Sequence, residues 1–188
     1  MKVPFIKGDL TSLMRISAGK KIILFDTSFL FKGPHFLKEC LISEDKLPVV
    51  PDFIFKQLRT VSTSDKLSKE MRAAVLEVLR TADPTRYVIL ITDFWQPDGI
   101  SPLDLIDDSF SRRRITEAAS AGRKGQVYED GSEKKAIDRS DQGVLCILWF
   151  LTKNGISASL LTNDQAMRLL AEEIEQKNKG GISPLEIS

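Results

Sequence analysis

Lys20-Lys21-Ile22-Ile23-Leu24-Phe25-Asp26-Thr27-Ser28-Phe29-Leu30-Phe31 runs from two lysines through apolar residues into an aspartate and two hydroxyls, then turns apolar again. So short a run, rich in β-branched and aromatic side chains, predicts a buried strand. A buried parallel strand carries its functional groups at its carboxyl edge, and Asp26 sits there. An ionised carboxylate in that place needs a cation, a metal or several donors. The alternative is that Asp26 caps the next helix, helped by Thr27 and Ser28.

The same alternation continues along the chain. Gly33-Pro34 opens a helix through Phe36, Leu37, Cys40 and Leu41, since proline suits a first helical turn. Leu47 to Pro51 reads as a second strand, followed by a helix at about 52–61 with Phe53, Ile54, Leu58 and Val61 on one face. Asp65 caps a further predicted helix over about 66–82. Tyr87 to Thr92 is a third strand, and Ser159 to Thr162 a fourth, feeding a helix at about 164–177. Between them lie an amphipathic helix near 103–120, a polar loop from Gly122 to Lys135, and an apolar helix opened by Asp138-Arg139-Ser140-Asp141 and closed by Asn154-Gly155. Ile182 to Ile187 is a candidate edge strand. Strand alternating with helix implies an α/β domain with a central, mostly parallel sheet. Residues 1–19 read as a lead-in and 20–188 as one domain, with an irregular insertion at about 94–137. Asp26 and Asp164 follow strand ends and Asp141 starts a helix, so all three can converge on one edge of the sheet.

The totals narrow the function. A length of 188 residues suits one domain with a real core. With a net charge of +1, no global field draws the chain to nucleic acid or an anionic membrane. Cys40 and Cys146 lie in apolar helical patterns and read as core residues of a reducing compartment. No apolar run reaches the roughly 20 residues of a membrane span, and the first residues carry no signal-peptide pattern. An intracellular protein, cytoplasmic or nuclear, is expected.

Elimination leaves carboxylate chemistry. The dinucleotide and P-loop fingerprints are absent. One histidine, His35, and two distant cysteines exclude the usual zinc sets, and no serine stands in a nucleophile elbow. Clustered Asp and Glu side chains suit Mg²⁺ or Mn²⁺, which lower the pKa of bound water and stabilise charge on a phosphate under attack.

Three ordered blocks then resemble the PIN-domain family of metal-dependent ribonucleases. They are Phe25-Asp26-Thr27-Ser28-Phe29-Leu30, Asp141-Gln142-Gly143-Val144 at a helix start, and Leu161-Thr162-Asn163-Asp164. The resemblance implies a three-layer α/β/α sandwich that cleaves single-stranded RNA with Mg²⁺ or Mn²⁺. It makes Asp26, Asp141 and Asp164 metal ligands, and Thr27, Ser28, Thr162 and Asn163 groups that position phosphate or water. Asp138 either joins the ligands on one helix face or caps that helix.

The chain departs from the family pattern at Gln57, where a glutamate is expected, and at Ala166, where some members carry a further acid. Gln57 therefore keeps a place among the catalytic candidates while opening a second reading: a PIN-like module that binds RNA or a protein partner without cutting. A phosphatase of the haloacid-dehalogenase type would want a second aspartate where Ser28 stands. Arg112, Arg113, Arg114, Arg123 and Lys124 form either a basic surface that attracts RNA or a solvated helix face neutralised by Asp104, Asp107 and Asp108. Homo-oligomerisation is compatible with these features.

Overall fold

The computed structural model describes residues 5–7, 10–17, 19–32, 43–62, 69, 73, 88–92, 101–127, 133–135 and 139–179. The expected helix after Gly33, most of the helix at 66–82 with its Asp65 cap, Cys40, Asp138 and the strand at 182–187 lie outside them.

The described elements are β1 (Phe5–Lys7), α1 (Leu10–Ser17), β2 (Lys21–Phe25), α2 (Thr27–Lys32), β3 (Lys46–Pro51), α3 (Asp52–Ser62) and β4 (Val88–Ile91). A 3₁₀ turn (Pro102–Leu105), α4 (Ser109–Ser120), β5 (Gly122–Val127), β6 (Glu133–Lys135), α5 (Arg139–Lys153), β7 (Ala158–Leu161) and α6 (Gln165–Lys179) follow.

Five strands form one sheet in the order β1-β4-β3-β2-β7, every neighbour parallel. The β-branched runs explain the central strands: Ile22, Leu24, Phe25 and Val49 are fully buried, because both faces of a parallel sheet are covered. From β2 the chain steps through β3 to β4 in one direction, then returns to add β7 on the other side of β2. Right-handed crossovers therefore put α2 and α3 on one face and α4 and α5 on the other. The packing of α2 with α3, and of α5 with α1, α4 and α6, agrees with this. The result is an α/β fold compatible with helix layers on both faces. The step also makes the gap between the carboxyl ends of β2 and β7 a topological switch point, the usual ligand crevice of an open α/β sheet.

Two expectations change. The lead-in contributes β1, an edge strand in register with β4 from Phe5 opposite Ile89 to Lys7 opposite Ile91. Three residues are too few to show a period in sequence. The insertion at 94–137 is also less irregular than expected over its described part. The helix near 103–120 divides, because the Asp108 carboxylate accepts from the Phe110 and Ser111 amides, 3.3 and 2.9 Å away, and starts α4 afresh. The polar loop from Gly122 to Lys135 contains an antiparallel pair, β5 with β6. Its residues are polar at nearly every position, so no alternation announces it.

Asp108 also pairs with Lys177 of α6. Burial alone would raise its carboxyl, but the Lys177 and Ser111 hydrogen bonds hold it well below the ordinary range. A depressed folded pKa gives stability that is complete above the unfolded value of about 3.9 and is lost as the pH falls below it. Thermal melts of the parent chain and of Asp108→Asn are therefore expected to differ at pH 6 and to converge towards pH 2. A gap independent of pH would refute this assignment.

Candidate functional site

The end of β2 and the end of β7 are tied by backbone and side chain. The Asp26 amide donates to the Leu161 carbonyl at 3.1 Å. The Asp26 side chain is 4% exposed, and two hydroxyls converge on its Oδ2: Ser28 at 2.5 Å and Thr162 at 2.9 Å. Neither bond uses Oδ1, and neither donor is an amide of α2, so the capping reading of Asp26 is not what its side chain does. Asn163 closes the same corner, its amide donating to Ser28 Oγ at 3.3 Å and its Nδ2 to the Ser28 carbonyl at 3.2 Å.

Asp164 is the cap. Its Oδ1 accepts from the amides of Ala166 at 2.8 Å and Met167 at 3.1 Å, opening α6. Its own amide donates to Thr162 Oγ1 at 3.0 Å. The Thr162 hydroxyl thus gives its proton to Asp26 and takes one from Asp164, linking two of the expected ligands. Independent of any ligand, Asp164→Ala is expected to destabilise the chain by about 0.5–2 kcal/mol in denaturant melts, the usual worth of an N-cap. No loss would mean that the cap is not formed in solution.

The third block reaches the corner through Gln57. Thr27 Oγ1 donates to Gln57 Oε1 at 2.7 Å, and Gln57 Nε2 donates to Ser140 Oγ at 2.7 Å. Thr27 directly follows Asp26, and Ser140 directly precedes Asp141, which lies half-buried in the first turn of α5. Nothing in the sequence sets Ser140 apart from other hydroxyls. The only signal for it is a hydroxyl in a helix first turn, and its partner lies 83 residues away. Asp52, at the start of α3, also lies at this edge. Its Oδ1 accepts from the amide and hydroxyl of Thr92 at 3.3 and 3.2 Å, and its Oδ2 pairs with Lys56 at 2.9 Å. Those bonds fasten α3 to the end of β4.

A divalent ion can be weighed against this geometry. Among the described residues no group of three or more His, Cys, Asp or Glu side chains is arranged to hold one. The Asp26 carboxylate nevertheless fits a cation. It is buried, and among the described residues only two neutral hydroxyls answer its charge, both on the same oxygen. Mg²⁺ commonly takes one or two carboxylates and completes its shell with water and substrate phosphate.

The arginines of α4 are engaged. Arg112 pairs with Asp104 at 2.9 Å and donates to the Leu103 carbonyl. Arg113 pairs with Glu117 at 3.2 Å. Arg114 holds Glu173 through two bonds of 3.1 and 2.9 Å. The side chains of Arg123 and Lys124, on β5, lie outside the described set. Exposed pairs of this kind are worth about 0–1 kcal/mol. They favour the solvated-face reading. Replacing Arg112, Arg113 and Arg114 together by alanine is accordingly expected to leave unchanged the salt dependence of any RNA binding that a titration detects. Three lost phosphate contacts would instead lower the slope of log K against log salt by about 2.

Cys146 behaves as the core residue expected of it: it is fully buried, and burial pushes its thiol far above the ordinary range. Among the described residues no helix is long and apolar enough to cross a membrane. Comparison with family models, curated proteins and solved structures finds no match to this chain.

Proposed function

We propose that the chain is a PIN-like endoribonuclease that hydrolyses single-stranded RNA with Mg²⁺ or Mn²⁺ at the β2/β7 crevice. The observation that carries this reading is the Asp26 carboxylate, buried at the switch point with two hydroxyls on one oxygen. A buried charge so thinly compensated costs several kcal/mol unless a cation shares the site. The three ordered sequence blocks support the substrate class. Asp26 would supply one carboxylate and Asp141 a second, with water and substrate phosphate completing the shell; Asp164, which caps α6, does not join them in a group of three. Asp138, three residues before Asp141 in sequence, stays a candidate ligand.

When bound, the metal would lower the pKa of a water and stabilise charge on the phosphate. The chain's own part is to hold Asp26 still. Ser28 and Thr162 fix one carboxylate oxygen and leave the other without a hydrogen bond among the described residues, and Asn163 braces Ser28. Thr27 is turned towards Gln57 and so orients the start of α2.

A second reading rests on a specific observation. Gln57 brings no charge, and both ends of its amide are already hydrogen-bonded. This favours a catalytically degenerate module that binds RNA or a protein without cutting it. Incubating unstructured RNA with the chain in Mn²⁺, with and without chelator, separates the two. Metal-dependent cleavage is expected. Binding of RNA without cleavage in any divalent metal would give the second reading the field.

A further inference from the structure

The contact between α3 and α5 has two parts. Phe53 and Gln57 are four residues apart on α3 and share a face; Ser140 and Gly143 are three apart on α5 and share a face. Gln57 bonds Ser140. One turn on, a Cβ built on Gly143 would lie 2.8 Å from Cζ of the Phe53 ring, closer than real Cβ atoms come. Glycine within a helix costs about 1 kcal/mol relative to alanine, so its presence in α5 needs a reason. The close approach of the Phe53 ring supplies one: without a side chain at 143, α5 settles near enough for Ser140 to reach the Gln57 amide. At its other end that amide holds Thr27, next to Asp26.

We propose that Gln57 is a positioning residue rather than a metal ligand: Thr27–Gln57–Ser140, seated by Gly143 on Phe53, is a clasp that fixes the spacing of Asp26 and Asp141. The proposal rests on the metal site described above. It differs from the placing of Gln57 among the catalytic candidates. Both polar atoms of Gln57 are taken up in crossing from α2 to α5, and the amide joins the residue after one acid to the residue before another. Groups that orient metal ligands typically change metal affinity by roughly 10–100-fold when lost.

The test is calorimetric titration of the full chain with Mn²⁺ alone. Gln57→Leu and Ser140→Ala are each expected to weaken binding by roughly 10-fold. The double variant should be no weaker than Gln57→Leu alone, because that change already removes the bond to Ser140. Gly143→Ala should weaken binding similarly, and adding Phe53→Leu should recover most of the loss by making room for the new methyl. A purely structural contact would change melting temperature and leave Mn²⁺ affinity alone. If Gln57→Leu does not fold, Ser140→Ala and the Gly143/Phe53 pair give the same readout. A parent chain that binds Mn²⁺ while these variants bind equally tightly overturns the clasp alone. A parent chain that binds no Mn²⁺ overturns the metal reading and the clasp's role with it.

Discussion

Asp26→Asn is expected to abolish metal-dependent cleavage, by roughly 10³-fold or more, without lowering stability. The two halves of this expectation have one cause. Asparagine keeps the shape and one acceptor oxygen, so Ser28 and Thr162 retain a partner. It removes a buried charge that only these two hydroxyls answer among the described residues. In metal-free buffer the variant should melt at or above the parent temperature, since an uncompensated buried charge destabilises the fold. A metal held through that carboxylate supplies several kcal/mol of transition-state stabilisation, and about 4 kcal/mol corresponds to three decades in rate. Single-turnover cleavage with paired thermal melts checks both. A variant that cuts like the parent removes Asp26 from the reaction. A variant that loses activity only because it unfolds shows that the charge is structural.

Gln57→Glu is expected to raise cleavage by roughly 10- to 100-fold, the range over which a group beside the metal ligands changes metal affinity or activity. The clasp should survive the change. One carboxylate oxygen accepts from Thr27 as the amide oxygen does, and the Ser140 hydroxyl can rotate to donate to the other. What the substitution adds is charge. Without metal, a further carboxylate near Asp26 and Asp141 repels them and should lower the melting temperature. With Mn²⁺ the order should reverse, because ligand binding stabilises the state that binds it better. Melts of parent and variant, with and without Mn²⁺, read this crossing directly. If the variant melts lower in both buffers and does not cleave RNA, the non-cutting binder is the better account. If the parent already cuts at the variant's rate, position 57 has no part in the chemistry.

The central strands were legible because burial on both faces favours apolar runs, and Ile22 to Phe25 and Leu47 to Val50 are such runs; Leu160-Leu161, half-buried on the edge strand β7, was legible as a short apolar run. The strand at Phe5–Lys7 and the pair Gly122–Val127 with Glu133–Lys135 were not legible. The first is too short for a period, and the second carries almost no apolar residue. The junction acids could be found in sequence, but their duties could not. Asp26 and Asp164 each stand between a strand and a helix, and the local sequence offers both as caps. Only the fold shows that Asp164 caps α6 while the Asp26 carboxylate is held by the Ser28 and Thr162 hydroxyls. Ser140 and Gly143 were invisible as a pair with Gln57 and Phe53, since their meeting depends on the tertiary placement of α3 and α5, which no local pattern encodes.

The most direct test of the account is an anomalous difference map from crystals of the chain grown with Mn²⁺. The account expects manganese in the β2/β7 crevice, bonded directly to an Asp26 carboxylate oxygen, with Gln57 still spanning Thr27 and Ser140 and making no bond to the ion. Manganese bound elsewhere, with Asp26 holding only Ser28 and Thr162, would contradict it.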